Sequence, residues 1–491
     1  MTDKSSSSSD GGASLLRNGL GLAGVVLAGG SLFSFLLLFL FDMLASAPSP
    51  YVGILTYVVT PAFLLGGLAL MALGAAWQRW KLKRATGAPP PMMIIDWSQP
   101  RHRRKVIGFG LGVMGFLLLS VMGSYHAYHL SESVEFCGET CHTVMKPELV
   151  TYRQGAHARV SCTECHIGQG ASYFVKAKIS GAYQLYAVAF DKYPRPIPTP
   201  IKHLRPAQDT CEQCHWPRKF VGNLDRTYDY FLGDEENTPY SVRLTLKVGG
   251  ADPARGPLGG IHWHMNVGNR IEYIAIDEKR QEIPWVRVTD SQGVVTVYRT
   301  AEFTNRIEDF EIRTMDCMDC HNRPAHRFNT PNDAVNRAIS LGKIDRAIPH
   351  VKTAAVEALT GEYETEEEAL RGIATQLAEA YPDDSRINAV INVVQEIYRS
   401  NFFPEMKADW RAYPDNIGHQ NWPGCFRCHD GRHKTADGRR TIKADDCNTC
   451  HVILAQGAGG ELNTLTPGGQ PFRHPGDEIE GLCTDCHDGT F

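Results

Sequence analysis

No cysteine in this chain stands alone. All fourteen fall into seven pairs, and a histidine directly follows the second member of each pair. Strong charge of one sign is absent too. Fifty Lys and Arg stand against 54 Asp and Glu, a net −4, which excludes nucleic acid and any strongly charged partner. Residues 19–41 and 51–77 carry no charged side chain, and the short segment between them has no Lys or Arg. Such long neutral runs exclude ordinary surface helices.

The pairs carry the chemistry. Six read C-x-x-C-H: Cys162/Cys165/His166, Cys211/Cys214/His215, Cys317/Cys320/His321, Cys425/Cys428/His429, Cys447/Cys450/His451 and Cys483/Cys486/His487. The first, Cys137/Cys141/His142, has one extra residue between its cysteines. C-x-x-C-H is the attachment signature of c-type haem, with two thioether bonds to the porphyrin and the adjacent imidazole as proximal iron ligand. Zinc needs four ligands and leaves a seventh pair unpartnered. Neither zinc nor a disulfide framework requires the histidine. Seven covalent haems are therefore expected, and a chain that holds them carries electrons.

The apolar runs 19–41, 51–77 and 106–122, the last extended by the Tyr125–Tyr128 region, can each cross a bilayer core of about 30 Å. The loop 78–105 is basic, with Arg79, Lys81, Lys83, Arg84, Arg101, Arg103, Arg104 and Lys105 against Asp96 alone. That bias assigns it to the cytoplasm. The haem-bearing part then faces the periplasm of a bacterial inner-membrane, multi-pass protein, where c-type haem is attached. Ala45-Ser46-Ala47 resembles a signal-peptidase site, but the preceding run is long for a signal peptide, and a retained anchor is expected.

The expected fold is a multihaem cytochrome c with three N-terminal transmembrane helices, mostly helix and loop around haems, with a small antiparallel β insert. The divisions are a disordered tail (1–18), the membrane anchor (19–130), a region with haems 1–3 (131–216), a β-rich insert (217–313), haem 4 (314–330), a helical spacer (331–410) and a three-haem region (411–491). Ser241–Val248, Ile271–Asp277, Ile283–Val288 and Val294–Thr300 read as strands between turn residues. Pro331–Leu341, Val351–Leu359, Glu364–Ala380 and Arg386–Tyr398 read as helices, the last with Ile387, Val390, Ile391, Val394 and Ile397 at helical spacing.

Redox character depends on the sixth iron ligand. The candidate distal histidines are His157, His203, His262, His264, His326, His350, His419, His433 and His474. A histidine close to one motif more naturally ligates a neighbouring haem than its own. His262 and His264 alternate in an apparent strand, so only one of them is expected to be a ligand. Met145, three residues after His142, is either an axial ligand of haem 1 or a packing residue.

From Cys137 to Trp216 the chain resembles the NapC/NirT family of membrane-anchored periplasmic quinol dehydrogenases. The resemblance rests on the helix before haem 1, the methionine after the first C-H, the segment from His157 through Cys162-Thr-Glu-Cys165-His166-Ile-Gly, and the lysine-bearing stretch Tyr173–Tyr193. The whole chain looks closest to seven-haem inner-membrane cytochromes that feed extracellular electron transfer. It departs from the family pattern in its C-x-x-x-C-H-x-x-M motif and in having three membrane helices. The resemblance implies a menaquinol or ubiquinol substrate beside haem 1, with Lys176, Lys178, Gln184 and Asp191 as the tentative quinol site. It also implies transfer to periplasmic c-type cytochromes or a reductase. Homo-oligomers are compatible with the sequence. The alternatives are a membrane haem subunit that docks a separate reductase, with the β insert as its docking surface, and a nitrite-type reductase in the same chain.

Overall fold

The computed structural model describes residues 18–44, 52–53, 55–86, 97–140, 142–168, 171–201, 205–216, 222–249, 260–265, 268–443, 447–476 and 481–490. The chain divides into two compact units, Met1–Thr140 and Cys141–Phe491. The Ala45-Ser46-Ala47 segment and His203 lie outside the described residues.

The first unit is built on α1 (Gly19–Leu44), α2 (Thr60–Thr86) and α3 (Pro100–Ser131). Three spans, Gly19–Phe41, Leu55–Ala85 and Pro100–Ser131, are long and apolar enough to cross a membrane. α3 starts inside the basic loop, because Pro100 at its first turn suits helix initiation. α1 and α2 approach closely through small residues. A Cβ on Gly24 would lie 2.7 Å from Gly67 O, and one on Gly67 would lie 2.6 Å from Ala28 N. Such contacts replace the hydrophobic effect that lipid cannot supply between helices. Ser31 Oγ donates to Thr60 O, and Ser124 Oγ of α3 donates to Tyr57 O at 3.0 Å. Most large apolar side chains of this unit are exposed, as lipid contact requires.

The second unit begins with α4 (His142–Gln154), α5 (Cys162–His166), α6 (Ala171–Ala189) and α7 (Ala207–Cys211). Next come β1 (Leu224–Phe231), β2 (Pro239–Leu246), a 3-10 turn at Ile261–Met265, β3 (Arg270–Ile274), β4 (Trp285–Thr289), β5 (Val295–Arg299) and β6 (Arg313–Thr314). α8 (Cys317–Cys320) precedes α9 (Pro331–Ser340), α10 (Val351–Thr360), α11 (Glu366–Ala380) and α12 (Ile387–Asn401), and β7 (His451–Gly457) follows.

The β structure is two antiparallel sheets, not one. The first has the order β1-β2-β7 and the second β5-β4-β3-β6. β7 comes from the C-terminal haem region and starts at a motif histidine, with Leu246 opposite His451. The β-rich stretch is therefore shared between the middle and the end of the chain rather than inserted as a module.

The helical stretch forms the largest core. Thr365 caps α11 by accepting from Glu368 N at 3.2 Å, and three glutamates fill the first turn, where the helix dipole favours anions. Ile373 and Leu377 of α11 pack with Val390 and Val394 of α12, all essentially buried, and each contributes about 1.5–3 kcal/mol of burial. Val144 of α4, Phe231 of β1 and Phe328 join the same cluster. Trp410 donates to Asp488 O at 2.8 Å and so fastens the end of the chain to that core. The stretch is thus the body on which the motif-bearing segments are mounted, and more than a spacer. Leu377→Ala is expected to cost about 2–5 kcal/mol in chemical denaturation. Leu341→Ala, at a side chain 62% exposed, is expected to stay within about 0.5 kcal/mol.

Candidate haem sites

Most of the attachment motifs fold as one tight turn. Cys162–His166 is a single helical turn, α5. The His215, His321 and His487 amides each donate to the carbonyl of the first cysteine of their motif at 2.8 Å, and His429 does so at 3.0 Å. An i+4 to i turn of this kind brings both sulfurs and the imidazole to one side. Successive motifs abut. The thiols of Cys211 and Cys317 are in contact, Cys165 lies near Cys214, and Cys320 lies near Cys425 and Cys428. His419 Nδ1 is 3.9 Å from Cys483 Sγ. The attachment points therefore run through space in chain order from the second motif to the fifth.

Cys450 alone among the described second cysteines of the motifs has a different backbone setting. Cys450 is half-buried where its motif runs into β7, and its carbonyl accepts from Lys247 N at 2.8 Å. Its backbone is thus drawn into the first sheet, because Cys447–Thr449 is a short 3-10 turn and His451 is already a strand residue. Cys486 keeps the common turn: it is exposed like Cys214, Cys320 and Cys425, and its amide donates to Cys483 O at 3.3 Å, as Cys428 N does to Cys425 O. The Cys447 side chain lies outside what is described.

Six motif histidines each face a second histidine. The ring centres are 6.0 Å apart for His157 and His215, 6.3 Å for His166 and His326, and 6.3 Å for His262 and His321. They are 5.9 Å apart for His264 and His429, 6.1 Å for His419 and His451, and 6.2 Å for His474 and His487. Two imidazole–metal bonds of about 2 Å in line put ring centres about 6 Å apart. The gaps have the width of an iron with two axial imidazoles, and the residues fit the haem that the motifs imply.

The outer nitrogens are anchored as ligation requires. Nδ1 meets a carbonyl in His157 (Pro324 O, 3.0 Å), His262 (Val248 O, 2.7 Å), His264 (Ile261 O, 2.8 Å) and His326 (Glu148 O, 2.9 Å). A carbonyl only accepts, so Nδ1 carries the proton and the lone pair lies on Nε2. Burial pushes His166, His262, His321, His326, His419, His429 and His451 below the usual histidine range. That favours the neutral ring that binds metal.

Several further expectations change. His262 and His264 sit in a 3-10 turn, not a strand, and each faces a different motif histidine, so the expectation of a single ligand between them loses its premise. His474 faces the histidine of its own motif, 13 residues further along the chain. His433 is fully buried with both nitrogens on acceptors, Asp430 Oδ1 at 2.8 Å and Ile283 O at 2.7 Å, so neither is turned to an iron. His350 is exposed at the start of α10 with φ 55° and makes no ring contact with a motif histidine among the described residues. Met145 is half-buried on α4, the helix that begins at His142. One helical turn apart, the two cannot lie on opposite faces of one iron. The side chain of His142 and residue Cys141 lie outside what is described.

Of the quinol candidates, Lys176, Lys178 and Gln184 lie on α6, and Asp191 follows its end. Lys176 and Lys178, two apart on α6, project to different sides, and Lys176 Nζ lies 5.9 Å from the Tyr173 ring. Asp191 pairs with Arg195 at 2.6 Å, and that hydrogen bond holds its carboxyl below the usual range.

Composition hides one group of residues that the structure reveals. Tyr273 of β3 donates to Asp319, inside the fourth motif. Arg427, inside the fifth, donates to Asp319 O at 2.6 Å, Arg280 O at 2.9 Å and Gly424 O at 2.8 Å. No spacing rule marks these residues, because Asp319 is far from Tyr273 in sequence, and Asp319 and Arg280 are both far from Arg427.

Among known proteins, the NapC/NirT cytochrome c family, N-terminal region, matches residues 100–197. The Cytochrome c-type protein ImcH of Geobacter sulfurreducens is 40% identical over 97% of this chain and 96% of its own length. No solved structure matches the chain. Similarity carried along both chains almost from end to end makes the assignment plain: the protein belongs to the NapC/NirT family of c-type cytochromes, and its repeated attachment motifs make it a multihaem member.

Proposed function

We infer that this protein is an inner-membrane quinol dehydrogenase that passes electrons through seven covalent haems to periplasmic acceptors. The row of facing imidazoles carries the reading. His326, His157, His262, His264, His419 and His474 serve as distal ligands opposite His166, His215, His321, His429, His451 and His487. Haem iron held between two imidazoles exchanges single electrons without releasing a ligand. With both axial positions filled, these six sites offer no opening to a substrate, which favours conduction over a terminal reductase. The contiguous motifs support a continuous path. Cys450, despite its different setting, and Cys486 serve as the second thioether residues of haems 6 and 7, because each directly precedes a histidine that faces a distal ring.

The donor is lipid-soluble. The membrane-competent helices give access to menaquinol or ubiquinol, and Cys137 follows closely on the end of α3 at Ser131. The basic loop 78–105 lies in the cytoplasm and the haem unit in the periplasm. Oxidation of a quinol releases two protons with two electrons, so acceptors for the protons are needed. Lys176 and Lys178 are the better candidates, and Gln184 can orient a quinol oxygen. Asp191 suits the role less, since Arg195 holds its charge in place.

Intact-mass measurement on the purified protein is expected to show seven haem additions, and any smaller number would sink the count. His326→Met should convert one low-spin bis-imidazole signal to a methionine-ligated one of higher potential and leave the others in place. An unchanged spectrum would remove His326 from the assignment. In liposomes, menaquinol should reduce the haems, and Lys178→Ala should slow that step roughly 10²-fold. Full-rate reduction by the variant would clear Lys178 of any part in proton uptake.

A further inference from the structure

The most tightly built part of the haem unit lies where motif 4 meets motif 5. The 3-10 turn Ile261–Met265 is fixed to the end of β2. Ile261 N donates to Lys247 O at 2.8 Å, and His262 Nδ1 to Val248 O at 2.7 Å. Gly260 enters the turn at φ +96°, and a Cβ there would lie 2.4 Å from Lys247 O. Only glycine lets the turn sit so close to that strand end.

Trp263 lies between the two histidines. It is half-buried against the small core of Ile271, Tyr273, Ile283 and Val286. Its ring stands 5.8 Å from that of His264 at 80°, an edge-on contact. The same core touches both motifs. Cys428 of motif 5 packs on it, and Tyr273 reaches from it to Asp319 of motif 4. Arg427 closes the arrangement by joining motif 5 to Asp319 O. One small sheet core therefore holds two attachment turns and the single turn whose histidines face both of them.

We propose that Trp263 is a positioning residue that sets His262 and His264 together, so that the haems of motifs 4 and 5 form a coupled pair joining the N-terminal and C-terminal haem groups. This rests on the ligand assignment given under the proposed function. Each histidine is anchored by its own Nδ1 contact, but both anchors lie in, or at the root of, the turn that Trp263 seats on the core. Loss of either ring removes one ligand. Loss of the indole frees the turn and displaces both. The β structure then acts as the bracket that fixes the midpoint of the haem chain.

The test uses the full-length, haem-loaded protein and reads electron paramagnetic resonance and potentiometric titration. His262→Ala and His264→Ala should each remove one low-spin signal and add one high-spin signal. Trp263→Ala should alter two low-spin signals in the same sample and shift two potentials together, with the remaining haems unchanged. Trp263→Leu keeps apolar bulk on the core and covers the case in which the alanine variant does not accumulate. It should shift the same two signals without abolishing them. If both histidine variants behave as stated while Trp263→Leu leaves every signal and potential at the parental values, the coupling is overturned and the ligand assignment stands. If the histidine variants themselves leave all haems low-spin, the ligand assignment is overturned as well.

Discussion

An iron between two imidazoles demands that two rings be held with centres about 6 Å apart and each Nε2 edge, with its in-plane lone pair, aimed inward. Six such gaps occur among the described residues, between 5.9 and 6.3 Å. Much of the second unit can be understood as what it takes to hold them. Backbone carbonyls grip the outer nitrogens of four of the distal rings, which fixes both tautomer and orientation. The motif turns fix most of the proximal rings, and β7 fixes that of His451. What remains is to fix turn against turn, and this is done by ordinary packing.

The polypeptide core is divided to suit that task. The α9–α12 cluster is the one large hydrophobic body among the described residues, and it ties down α4, β1 and the C-terminal end. The sheets are smaller and lie close to the attachment points. β7 grows directly from the motif histidine His451, and the second sheet meets motifs 4 and 5 through Tyr273 and Cys428. The membrane unit follows different physics. There, glycine and small polar contacts join α1 to α2, and apolar side chains face outward.

The sequence reading succeeded wherever a feature is local. The helices of residues 331–401 were legible because apolar residues recur at helical spacing beside capping residues. Four strands were legible from β-branched runs and turn chemistry. β1, Leu224–Phe231, was missed because its charged and polar residues carry no clear alternation. β7 was missed because it sits against a haem motif, where attachment dominates the reading. For the same reason the different backbone setting of Cys450 is invisible in a motif with the common C-x-x-C-H spacing. Two histidines separated by one residue look alike in a strand and in a 3-10 turn, so the His262–His264 turn is not legible in sequence.

Sequence by itself determined the haem chemistry and the membrane class, since both are written in residues within one turn or one span of each other. Thiol spacing and the adjacent histidine need no tertiary partner to be recognised, and neither does a run of uncharged residues long enough for a bilayer. Only the tertiary structure decided which histidine faces which, and set His350 and His433 apart from the rest. A distal ligand is defined by a distance across folded space, and the chain separation between partners ranges from 13 residues for His474 and His487 to 165 for His264 and His429. No periodicity in the sequence encodes that distance, because packing among the sheets, the helical core and the turns brings the partners together.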